Sequence, residues 1–287
     1  MSKRIEKRRD ELLGVEFNNK HGHRCFVIDY KDAHNVVVMF YDTMSIATFN
    51  YSNLQRGSFL DRYKPSLYGV GYLGGFGKTS KNEMAYRAWN HILCRCYSEE
   101  FQERQPYYKG CSVDERWHCF EEFEKWYNEQ EQRHFKEDYH VGRRWSIDKD
   151  ILVRGNKVYS PETCCFVPNE INSAVTKAKR RNVHENLPEG VGLIKPKFKG
   201  CKVGYTARAH TGKTDKERYL GYYDTPEEAF KVYKYAKETH IKSLAEKWKG
   251  KIDDRVYESL MNWKVCIDTS IFLCYIHTLF NLRRLLV

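Results

Sequence analysis

Trp145-Ser-Ile-Asp-Lys-Asp-Ile-Leu-Val-Arg-Gly-Asn-Lys-Val-Tyr-Ser-Pro-Glu-Thr-Cys-Cys-Phe-Val-Pro-Asn-Glu-Ile-Asn172 is the stretch on which the reading of the chain turns. Ser146 to Leu152 reads as a short strand, Gly155-Asn156 as a tight turn and Thr163 to Val167 as a second strand. Pro168 has the fixed backbone angle of a helix start, so a helix carrying Asn169 and Asn172 should follow. The unit is strand, turn, strand, helix. Asp148 on the first strand and Asn172 on the helix are oxygen ligands of the kind a hard divalent cation takes, and a hairpin folded against a helix can bring them together. Asp and Asn are also ordinary turn and cap residues, so two oxygens do not by themselves fix a chemistry.

Upstream, Ala85, Trp89, Ile92, Leu93 and Cys96 recur at helical spacing, and Trp117, Phe120, Phe123 and Tyr127 form an aromatic stripe on a second helix. Stripes of this kind are core faces more often than cofactor pockets. The glycine-rich run from Tyr68 to Lys78 does not make a phosphate loop: Gly71 to Gly77-Lys78-Thr79 has the wrong spacing and no preceding strand, so it reads as a flexible linker. Nearer the start, Arg24 to Tyr30 and Val36 to Tyr41 look like two arms of a hairpin, and Asn53 to Gly57 like a further turn.

Downstream, two or three strands between Gly190 and the start of a helix at Pro226 are followed by that helix to Trp248, with Thr225 as its N-cap. The segment from Ser173 to Lys216 holds eleven Lys and Arg against three acids, a surplus of eight out of the whole chain's formal net charge of +11. A basic block interleaved with aromatics is the footprint of a polyphosphate binder, because each cation placed on a phosphate releases a condensed counterion. Residues 269–282 are apolar but too few for a span of about 20 residues, which argues against a membrane partner. The opening Met1 to Asp10 has no apolar signal core, which points to the cytoplasm. The ten cysteines are scattered, and a zinc site built on Cys94 and Cys96 with Cys111 or Cys119 lacks any CxxC pair.

Asp148, Cys164-Cys-Phe-Val-Pro168 and Ile171-Asn172 resemble the ββα-metal motif of phage-type HNH homing endonucleases. The similarity extends over Ala85-Tyr-Arg-Ala-Trp89, Arg95-Cys-Tyr97, Pro106-Tyr-Tyr-Lys-Gly110 and Trp117 to Phe123, so it covers roughly 68–179. It implies Asp148 and Asn172 as ligands of Mg2+ or Mn2+, with Asn156 fixing the hairpin. The chain departs from the motif at Lys149, where the family has the general-base histidine. Histidine suits that role because its ordinary pKa lies near neutrality. Three outcomes stay open: Lys149 is itself the base, Asp150 or His140 substitutes, or the site binds nucleic acid without cutting it.

Gly190-Val-Gly192, Gly204-Tyr-Thr-Ala-Arg208 and Leu220 to Ala236 resemble the DNA-binding domain of plant ethylene-response factors, whose three-stranded sheet enters the major groove. Arg208 matches a strand arginine of that family, whereas Gly192, Leu193 and Ile194 stand where others are expected. Lys195, Lys197, Lys199 and Lys202, with Lys179, Arg180 and Arg181, would hold the phosphate backbone.

The expectation is an α+β protein in four parts: a small β module (1–66), a nuclease core (67–181, ββα unit about 145–175), a sheet-and-helix DNA-binding domain (182–252) and a tail (253–287). Its expected activity is metal-dependent hydrolysis of duplex DNA by a monomer in a bacterial host. The alternative is a non-catalytic DNA-binding protein on a degenerate nuclease scaffold.

Overall fold

The computed structural model describes residues 3–75, 83–134, 145–176, 187–194, 204–210 and 218–266. His140, Lys179, Arg180, Arg181, Lys195, Lys197, Lys199, Lys202 and the apolar end after Cys266 lie outside these described residues.

In chain order the elements begin with α1 (Lys3–Leu12), β1 (Glu16–Asn18), β2 (Arg24–Asp32), β3 (Asn35–Phe40), β4 (Ile46–Phe49) and α2 (Tyr51–Gln55). Then come α3 (Glu83–Tyr97), α4 (Glu99–Arg104), β5 (Ser112–Val113) and α5 (Phe120–His134). The decisive stretch supplies β6 (Trp145–Asp148), β7 (Val158–Tyr159), β8 (Cys165–Pro168) and α6 (Asn169–Val175). The last part holds β9 (Val191–Ile194), β10 (Gly204–Ala209), β11 (Arg218–Tyr223), α7 (Pro226–Trp248) and α8 (Asp254–Met261). The protein is a mixed α+β chain with several small sheets.

These elements fall into two compact units, 1–130 with 157–160, and 131–156 with 161–287. The helices α3 and α4 and strand β7 lie in the first unit, and β6, β8 and α6 in the second.

In the first unit, β1 to β4 form an antiparallel meander in sequence order. Alternation sends Cys25, Val27, Val36, Val38 and Phe40 to one face, where they meet Leu12 of α1, Leu54 of α2 and Phe59. The β2–β3 hairpin turns where the Asp32 carboxylate accepts from the His34 backbone N–H at 2.7 Å and the Asn35 amide at 3.0 Å. The turn expected at Asn53 to Gly57 begins as the short helix α2 and ends only at Gly57, whose positive φ of 67° closes it. A second core forms between α3 and α5. Trp89 donates its indole N–H to the Trp117 carbonyl at 2.7 Å, and Trp117 stacks against Trp126 with ring centroids 4.6 Å apart.

The linker reading of the glycine run fails over its described part. Tyr72 exchanges backbone hydrogen bonds with His118 and Phe120 at 2.9 and 2.8 Å. Gly71 lies against Leu93 and Trp89, with no room for a side chain, so close packing and not flexibility requires glycine there.

In the second unit, β6 and β8 pair antiparallel, from Trp145 opposite Pro168 to Asp148 opposite Cys165, and Pro168 leads directly into α6. β9, β10 and β11 form an antiparallel sheet in the order β11-β10-β9, and α7 lies along it. Thr225 caps α7 by accepting from the Glu228 N–H at 3.2 Å. Ala229, Phe230, Tyr233, Ile241, Leu244 and Ala245 form its buried side. Residues read as tail form an additional element, α8, capped by Asp253 and buried through Val256 and Leu260. Its sequence, Asp254-Arg-Val-Tyr-Glu-Ser-Leu-Met261, carries a short apolar stripe at helical spacing, Val256 and Leu260.

Candidate metal and nucleic-acid site

The strand β6 stops at Asp148 for a local reason. Asp148 Oδ1 accepts from the backbone N–H groups of Asp150 and Ile151 at 2.7 and 2.8 Å, a side-chain turn that competes with the β ladder. Its carboxyl group is largely buried, which pushes its pKa up, while those two N–H groups and the neighbouring Lys149 charge pull the other way. Across the ladder, the Cys165 thiol donates to the Asp148 carbonyl at 3.8 Å, and burial pushes that thiol's pKa far up.

Ser146 shares the face of β6 that carries Asp148, and Asn169 lies one helical turn before Asn172. The Ser146 hydroxyl donates to Asn169 Oδ1 at 2.6 Å, so these two faces meet. α6 packs on both β6 and β8. Neither Asp148 Oδ2 nor the Asn172 side-chain amide takes a hydrogen bond among the described residues, leaving two oxygens free on adjoining surfaces. One carboxylate and one amide suit a hard cation that keeps most of its waters, as Mg2+ does. They do not suit a closed tetrahedral site, and among the described residues no group of three His, Cys, Asp or Glu side chains comes together.

Lys149 points into the hairpin. Only 8% exposed, it donates Nζ to Asp150 Oδ2 at 2.7 Å and to the Asn156 carbonyl at 2.6 Å, while Asn156 Nδ2 donates to the Lys149 carbonyl at 2.9 Å. Gly155 supplies the positive φ, 74°, that the turn requires. These bonds clasp the two sides of the hairpin together. Asp150 is about half-exposed and keeps Oδ1 free of hydrogen bonds among the described residues.

The hairpin and α6 are fastened from far along the sequence. Glu170 accepts from Lys247 Nζ at 2.6 Å and from the Trp248 indole N–H, and Trp248 stacks edge-on against Trp145 at 5.6 Å. Arg154 donates to the Lys264 carbonyl and lies 4.9 Å from the Trp263 ring centroid. The Ser259 hydroxyl donates to the Ile151 carbonyl at 2.5 Å. These partners stand 77 to 110 residues away along the chain, beyond the reach of any local signal.

Of the expected DNA-contacting residues, Arg208 is described, and it is exposed on β10 opposite Tyr219 of β11. Tyr219 and Tyr222, also exposed there, had not been singled out. No family model, curated protein or solved structure matches the chain. Among the described residues, no helix is long and apolar enough to cross a membrane.

Proposed function

We propose that the chain is a divalent-metal-dependent DNA endonuclease of the HNH type, with Asp148 and Asn172 as the cation ligands. The observation that carries this reading is the pair of unengaged oxygens on a ββα unit whose β6 and α6 faces are joined through Ser146 and Asn169. Bound Mg2+ or Mn2+ would supply Lewis-acid stabilisation of charge on the scissile phosphate and the leaving oxygen. The chain's own residues divide the remaining work. Asp148 Oδ1 accepts from two backbone N–H groups, which fixes the carboxylate and leaves Oδ2 without a hydrogen bond among the described residues. Asp150 offers the exposed carboxylate oxygen nearest in sequence for taking a proton from water. Lys149 and Asn156 hold the hairpin that carries both acids. The lysines between 195 and 202, with Arg208, draw the strand to the site through charge.

Purified protein incubated with supercoiled plasmid and Mg2+ or Mn2+ tests this directly. Nicking that disappears in both Asp148→Ala and Asn172→Ala supports the reading; equal nicking by wild type and both variants, or none by any, removes it.

The clasp at Lys149 favours a second reading, a non-catalytic DNA-binding protein on the same scaffold. It expects binding that weakens steeply with salt and is indifferent to Mg2+.

A further inference from the structure

The outward face of the C-terminal sheet is built for stacking. Tyr205, Ala207 and Ala209 are buried on the α7 side of β10, so Gly204, Thr206 and Arg208 face the other way. In a regular strand, Tyr219 and Tyr222, three residues apart, would point to opposite faces. A register shift at Ala207/Arg208 places Tyr222 opposite Thr206 and Tyr219 opposite Arg208, which puts both rings on the outward face. They are 55% and 50% exposed, respectively.

The backbone beneath them accommodates this arrangement. The Tyr222 ring rests where a side chain at Gly204 would stand, so any larger residue at 204 would displace it. Gly192 and the 43% exposed Ile194 complete this face on β9, and neither carries a hydrogen-bond donor that could read a base edge. Among the described residues, the Arg208 guanidinium and both tyrosine hydroxyls have no hydrogen-bond partner. Tyr222 also borders an open groove of about 690 Å³ that runs on to Lys231 and to Tyr235, which is 75% exposed. The Asp224 and Glu228 carboxylates in this groove can accept from base amino groups.

Exposed rings with a cation on the neighbouring strand, opposite Tyr219, match unpaired bases, whose faces are free. A duplex presents base edges and hides base faces in its own stack. We propose that this sheet face binds single-stranded or locally unpaired DNA, with bases stacking on Tyr219 and Tyr222 and Arg208 on a phosphate beside the Tyr219 base. The inference rests on the reading of the chain as a DNA-acting protein and changes its substrate from fully paired duplex to DNA containing unpaired nucleotides.

Fluorescence anisotropy with the full-length protein tests it, using labelled oligothymidylate of about twenty nucleotides, long enough for any usual single-strand site, a duplex of equal length, and oligouridylate. The expected result is at least roughly tenfold tighter binding of oligothymidylate than of duplex, with Tyr219→Ala and Tyr222→Ala each weakening it about tenfold. Tyr219→Phe and Tyr222→Phe should bind like wild type, since the ring and not the hydroxyl stacks, and they serve as the folded reference. Equal or tighter duplex binding, or tyrosine-to-alanine variants that bind like wild type, overturns the proposal while leaving an endonuclease acting on duplex intact. Tighter binding of oligouridylate overturns the assignment to DNA. Failure to bind any of the three removes the DNA-acting reading as well.

Discussion

Lys149 and Asn156 fasten the two sides of the hairpin by exchanging side-chain donors for each other's backbone carbonyls, at 2.6 and 2.9 Å. Both bonds are partly buried, and leaving a buried acceptor unsatisfied costs about 1–3 kcal/mol. Asn156→Ala should therefore lower stability by about 1–2 kcal/mol. Asn156→Asp should be no better, because a carboxylate cannot donate. Denaturant midpoints decide the point, and an unchanged midpoint in Asn156→Ala would show that the clasp contributes nothing.

Two glycines with nearly the same backbone angle should differ sharply in their tolerance of alanine. Gly155 has φ 74° with open space around it, so Gly155→Ala should cost only the left-handed penalty of about 1–2 kcal/mol. Gly190 has φ 76° and lies against the Tyr233 ring, so Gly190→Ala adds an overlap and should exceed that cost by a further ~1–3 kcal/mol. Thermal unfolding of the two variants provides the comparison; equal losses would contradict the packing argument.

Acid should weaken the first unit through His23. This side chain is buried, and its Nδ1 has no hydrogen-bond partner among the described residues. Burial lowers its pKa below the ordinary 6.5, and Lys64 lowers it further against an opposing pull from Asp61. With the folded pKa below the unfolded one, the unfolded chain binds the proton more readily. This contribution is complete above the ordinary value and is lost as pH falls below it. Melting curves of wild type and His23→Gln at neutral and mildly acidic pH should show the wild type losing relative stability on acidification. A constant difference between the two would rule out this role.

Glu170 joins α6 to the end of α7 through Lys247 and Trp248. Because the ion pair is substantially exposed, Lys247→Ala should cost only about 0.2–1 kcal/mol. Glu170→Ala removes both partners' acceptor and should cost more, about 1–2 kcal/mol. Hydrogen exchange at the α6 amides should quicken in Glu170→Ala and hardly change in Lys247→Ala. The reverse order would mean that the Trp248 bond is unimportant.

Replacing Lys197, Lys199 and Lys202 with alanine should weaken DNA binding almost uniformly across sequences. Each lost phosphate contact should also reduce the slope of log affinity against log salt, by about 0.9 for duplex or 0.7 for single strands. Titrations at several salt concentrations would show this, and a loss confined to one target sequence would contradict it.

Much of the architecture was legible residue by residue because the signals are local. The hairpin of β2 and β3 follows from alternation, and α7 starts at Pro226 because the Thr225 cap and the proline act within one turn. The strand, turn, strand, helix order around Asp148 and Asn172 was readable for the same reason, although β6 ends at Asp148 and not at Leu152 because the Asp148 side chain captures the next backbone N–H groups. α8 has two buried positions, Val256 and Leu260, too few to separate a packed helix from a tail, and the crowding of the glycine run against Leu93 and Trp89 cannot be seen in composition.

By itself, the sequence determined the α+β class and the placing of the charge, both properties of composition or of neighbours a few residues apart. The tertiary structure decided where the Lys149 ammonium is engaged, that Glu170 and Arg154 are anchored 77 and 110 residues downstream, and that Tyr219 and Tyr222 share one face. The physical reason is common to all three. Burial, long-range hydrogen bonds and strand register depend on which surfaces meet, and a one-residue slip in a strand changes which way every later side chain points.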